Sequence, residues 1–158
     1  MNETAANTYL RSQVMTASPE ELRLMLYDAA IKFIHQGREA LTSKDYETVH
    51  RCFRDARNII MEFITSMDHS QDPDLCRKMT ALYTFMYRRL VDAGIEKNPD
   101  YADEALKLLE YDRETWVLLM EKVAEERNSG SAPSAVNKPA EVPGSGTPGV
   151  GRMLSVEG

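Results

Sequence analysis

The chain has 158 residues and only two cysteines, Cys52 and Cys76, with no CxxC spacing between them. That excludes a disulfide framework and points to a reducing cytoplasm. No apolar run approaches the roughly 18 residues that a membrane span requires, so direct membrane insertion is not expected. The first residues, Met1 to Asn7, carry neither a basic nor an apolar region, and no secretory signal is expected. Basic residues are in deficit, 19 against 25 acidic ones for a net charge of −6. Phosphate binding draws on Lys and Arg clusters, so nucleic acid is not an expected partner. β-Branched alternation is missing, and with it any expectation of strands.

Proline and glycine are scarce until the chain nears its end. Four of the 7 prolines and six of the 8 glycines follow Asn128, in a stretch with no aromatic residue and no apolar periodicity. Such a composition does not offset the entropy of ordering, so 129–158 is expected to be a disordered tail. Its Met153, Leu154 and Val156 form a short apolar motif that reads either as a binding element or as part of a solvated tail. The earlier prolines act as punctuation. Ser18-Pro19-x-Glu21 has the form of a capping box with proline in the first turn. Asp72-Pro73 and Asn98-Pro99 mark two more helix starts, and Ser43 or Asp45 a fourth. The expected fold is all-α: an antiparallel up-down four-helix bundle over 19–128, with helices near 19–42, 45–68, 73–95 and 100–127. A non-helical N-terminal cap segment, 1–18, precedes it.

The apolar arcs are wider than a bundle needs. In the first helix Leu22, Met25, Leu26, Ala29, Ala30 and Phe33 read as the core stripe, while Leu24, Tyr27, Ile31 and Ile34 make a second one. In the third, Leu75, Met79, Leu82, Met86 and Leu90 face inward, with Tyr83 and Tyr87 flanking them. Two readings account for the surplus. It is covered by the protein's own lead, where Tyr9, Leu10 and Val14 lie, or it is a groove for an amphipathic segment of another protein.

No catalytic constellation accompanies these surfaces. Glu47-x-x-His50 matches half of a di-iron bundle motif, with no second copy and no pair of inward glutamates to complete it. No glycine-rich phosphate loop or nucleophile elbow is present. Neither an enzyme, a metal nor a cofactor is expected. Asp112 interrupts the fourth helix's apolar arc between Leu109 and Trp116, so an Arg or Tyr from a neighbouring helix is needed there unless the helix end is loosely packed.

The stretch Tyr9-x4-Val14-x-Thr16-Ala17-Ser18-Pro19-x-Glu21-Leu22-x-x-Met25-Leu26-Tyr27-Asp28-x-Ala30-Ile31 closely resembles the N-terminal signature of the flagellin export chaperones, the FliS family. Ala56-Arg-Asn-Ile59-Ile60 with Ser66-Met67-Asp68, Leu82-Tyr83, and Leu108-Leu109 followed by Arg113-Glu-Thr-Trp116 extend the resemblance over residues 9 to 120. It implies a cytoplasmic helical bundle that holds the disordered C-terminal segment of flagellin, prevents premature polymerisation and assists delivery to the flagellar type III export gate. It also implies that Tyr9, Leu10 and Val14 act as a movable cap. Helical spacing places the partner surface at Leu24, Tyr27, Ile31, Ile34, Tyr83 and Tyr87. A regulatory bundle sequestering a different helical client is the alternative, and homodimerisation stays open. Against the family's usual pattern, Ala29 stands for Gly, Asp72-Pro73 for paired glycines, and Asp112 for Leu.

Overall fold

A computed structural model describes residues 2–131. Five helices follow one another: α1 (Asn2–Thr16), α2 (Pro19–Thr42), α3 (Tyr46–Thr65), α4 (Pro73–Glu96) and α5 (Pro99–Ser131). No strand occurs among the described residues. By internal compactness the chain divides at Leu118, and the architecture below is that of residues 1–118. In the remaining unit, residues 119–131 are helical and mostly exposed. The expected disordered tail overlaps the helix at 129–131 and otherwise lies outside the described residues.

Each start signal acts as its chemistry requires. Ser18 Oγ accepts from the Glu21 amide at 3.1 Å while the Glu21 carboxylate accepts from the Ser18 amide at 3.2 Å, closing a reciprocal capping box. Asp45 and Asp72 cap α3 and α4 by accepting the amides of Thr48 and Leu75. The α4 end turns through Lys97 in the left-handed region (φ 54°), a site that more often holds glycine or asparagine.

The N-terminal segment is helical, which corrects the expectation of a non-helical lead. Asn2–Thr16 contains no proline or glycine, and Glu3 sits favourably in its first turn. None of its residues carries the large helix-interior cost of glycine or proline.

Helices α2 to α5 form an antiparallel bundle. Gln36 meets Cys52 while Tyr27 meets Phe63, so α2 and α3 run in opposite directions. Gly94 approaches Phe53 while Tyr83 meets Phe63, fixing α3 against α4 in the same sense. Arg89 pairs with Glu104 while Tyr83 bonds Asp112, and Arg38 with Asp103 while Asp28 pairs with Arg113, so α5 runs antiparallel to both α4 and α2.

The core line of α2 runs through Tyr27, Ala30, Ile34, Gly37 and Leu41, spaced three, four, three and four. This line falls between the two stripes proposed from the sequence. Leu26 and Phe33 pack only against its edge, and Leu22 and Met25 are half-exposed. A helix with neighbours on both flanks buries the middle of its apolar arc and leaves both margins partly open. On α4 the buried line is Cys76, Tyr83, Met86, Leu90 and Ala93, while Leu75 is exposed. Gly37 is there for close approach: a Cβ on it would lie 2.4 Å from the Phe53 ring.

Candidate partner-binding surface

Three of the six residues assigned to the partner groove are core. Tyr27, Ile34 and Tyr83 are at most 1% exposed. Tyr27 and Tyr83 each stack on Phe63, with ring centroids 4.8 and 5.6 Å away. Their hydroxyls both donate to Asp112 Oδ2, at 2.8 Å from Tyr27 and 2.6 Å from Tyr83. The Arg23 guanidinium donates to both hydroxyls at 3.0 Å and lies over the rings of Tyr27, Phe63 and Trp116. Asp112 therefore has the neighbouring Tyr partners that its place in an apolar arc demanded, and α2, α4 and α5 are joined through it. Burial pushes both phenols above the usual tyrosine range, and the hydrogen bond to Asp112 raises Tyr83 further. Sequence periodicity treated these tyrosines as flanking because a phenol is amphipathic; a converging acceptor on another helix brings them inside.

The other three lie on opposite faces of the bundle. Leu24 and Ile31 share a helical stripe with Asp28 and His35, and that stripe faces α5. Ion pairs close this α2–α5 seam. Arg38 holds Asp103 in a bidentate contact, Asp28 lies 2.6 Å from Arg113, and His35 lies 3.7 Å from Glu110. The Trp116 indole completes it by donating to the Glu20 carbonyl at 3.2 Å. Tyr87 instead lies under the Arg57 guanidinium, on the α3–α4 seam.

That second seam is open. A pocket of about 320 Å³ runs along it, lined by Tyr46, Val49, His50, Phe53, Arg57 and Val91, then Gly94, Ile95 and Lys97 at the end of α4. Ile95 is 74% exposed and Tyr46 is also exposed, with the Lys97 ammonium 4.2 Å from the Tyr46 ring. The Gly37–Phe53 contact fixes the pocket's floor from below. Tyr46, Ile95 and Lys97 escaped sequence reading because they sit at helix ends, where periodicity carries little weight. In the sequence His50 reads only as half of a metal motif. Among the described residues no group of His, Cys, Asp and Glu side chains could hold a metal ion.

A second apolar surface is α1. Its Tyr9, Leu10, Val14 and Met15 are 43% to 80% exposed. The residues expected to act as a cap are thus left largely to solvent.

A helical bundle with apolar side chains left to solvent at two places defines a protein-binding module rather than a small-molecule site. The family model described as flagellar protein FliS matches residues 1–123. The flagellar secretion chaperone FliS of Bacillus subtilis is 32% identical over 120 residues, covering 76% of this chain and 89% of the relative. The chaperones of the same name from Salmonella typhimurium and Campylobacter jejuni are 28% and 26% identical, each covered over 89–90% of its length. The chain belongs to the FliS family, and with it to the flagellar secretion chaperones. No helix of the described residues is long and apolar enough to cross a membrane.

Proposed function

We propose that this protein binds the disordered C-terminal segment of flagellin in the bacterial cytosol. Bound there, the segment is kept from premature polymerisation and brought to the type III export gate. The reading rests chiefly on the apolar side chains that α1 leaves in water, beside a bundle that needs none of them for its own core. Covering such a side chain fully is worth about 1.5–3 kcal/mol, enough for a few anchors to offset the ordering of a disordered client. In this scheme Tyr9, Leu10 and Val14 form a movable element. Tyr87, on the open α3–α4 seam, is a client contact, whereas Leu24 and Ile31 lie along the ion-paired α2–α5 seam. Tyr27, Ile34 and Tyr83 shape the bundle from within.

Isothermal titration with a peptide of about the last fifty residues of the cognate flagellin tests this. Coupled folding gives an exothermic isotherm with a large negative heat-capacity change. A flat titration of folded protein would sink the flagellin reading in favour of another helical client.

A further inference from the structure

Resting on that reading, we infer that the α3–α4 seam is a charge-selective docking groove for a segment of the client carrying carboxylates beside its apolar anchors. The chain as a whole is acidic, yet three basic residues and no acidic ones line this groove. Among the described residues His50, Arg57 and Lys97 make no ion pair, whereas Arg38, Arg89 and Arg113 on the other seams each hold a carboxylate. Both cations at the groove's ends are set against aromatic faces, Arg57 over Tyr87 and Lys97 over Tyr46. That leaves them ordered without neutralising their charge.

The dimensions define the occupant further. From Tyr46 to Arg57 the groove follows α3 for eleven residues, about 16 Å at 1.5 Å per residue. A helical segment of about three turns spans it. Apolar side chains at i, i+3 or i+4 and i+7 would meet Phe53, Val91 and Ile95. Carboxylates near the two ends of that segment would reach Lys97 and Arg57. A second acidic copy of this chain would meet the same charges, so the test must distinguish it from the client.

The experiment measures the affinity of the full chain for a fluorescent C-terminal flagellin segment at about 50 mM and 500 mM salt, where screening lengths differ several-fold. The R57E/K97E variant is expected to bind at least tenfold more weakly at low salt, with the gap narrowing at high salt. R113E, on the ion-paired seam, should stay within twofold of the wild type. If R57E/K97E fails to fold by circular dichroism, H50E/K97E serves in its place. Equal affinity of the wild type and the folded charge-reversal variant overturns the groove and leaves the chaperone reading standing. Equal loss in R113E also overturns it, since the effect is then net charge. No binding by the wild type overturns both. A free-chain dimer in sedimentation that R57E/K97E dissolves assigns the groove to self-association instead, and likewise overturns the proposal.

Discussion

Two seams of the bundle, α2–α5 and α3–α4, are built from similar helices and end in opposite states. Along α2–α5, Asp28 and Arg38 each find an opposite charge on α5, His35 lies beside Glu110, and Trp116 lies over the entrance of α2. Along α3–α4, the same kind of long side chain stacks on aromatic rings and has no ion pair among the described residues. Exposed ion pairs contribute little stability, typically 0–1 kcal/mol each. Their value on α2–α5 is specificity: they fix register and occupy the polar groups that would otherwise welcome a partner. An uncompensated cation beside an apolar gutter does the reverse.

The sharpest way to break this contrast is through the interior that both seams share. Tyr83→Ala removes a fully buried ring and leaves Asp112 with one donor fewer. Urea unfolding should show a loss of about 3–5 kcal/mol, on the scale of large-to-small core substitutions. A loss under about 1 kcal/mol would mean that the Asp112 network does not join the helices as described. The same tyrosines predict an alkaline limit. Their folded pKa values are raised, so their stabilisation is complete below the unfolded tyrosine pKa of about 10 and is lost as pH rises beyond it. Melting temperature should fall above pH of about 10, and Y83F should flatten that fall.

A smaller effect is expected from Gly37→Ala. The new Cβ forces the Phe53 ring to move, a cost of about 1–3 kcal/mol that outweighs the roughly 1 kcal/mol gained in helix propensity. Because Phe53 is also the floor of the open seam, client affinity should change with it, and G37A/F53L should recover stability. Stabilisation by G37A alone would show that the ring yields freely.

At the open rim, Ile95→Asp should leave unfolding within about 0.5 kcal/mol of the wild type, as surface changes usually do. It should weaken flagellin-peptide binding about tenfold, equivalent to about 1.4 kcal/mol. Ile31→Asp, on the ion-paired seam, makes the complementary measurement: a greater loss of stability, because Ile31 packs against the core. If Ile31→Asp weakens binding without unfolding the chain, the closed seam also receives the client. The smallest effect belongs to the Asp28–Arg113 pair. A double-mutant cycle should return a coupling below about 1 kcal/mol that fades with salt.

Much of the fold was legible in the chain before any coordinates. Ser18-Pro19-x-Glu21, Asp45 and Asp72 act within one turn of themselves, so local chemistry sufficed to place three helix starts. The signature from Tyr9 to Ile31 likewise sufficed to name the family. The surface assignments fared differently. Half of the residues given to the partner groove proved to be core, and the remaining Leu24, Ile31 and Tyr87 divide between opposite seams.

The amino-acid sequence by itself determined helices α2 to α5, their order, their antiparallel connection and the width of each apolar arc, because these follow from propensity, capping and a 3.6-residue period; α1 was not legible in the same way. Only the tertiary structure decided where each arc is centred. Tyr27 and Tyr83 are interior because Asp112, distant in the chain, accepts both hydroxyls. Arg57 and Lys97 come to lie over the rings of Tyr87 and Tyr46, contacts set by which side chains meet at the α3–α4 seam. Such outcomes depend on which side chains meet across helices, and no single helix's sequence contains that information.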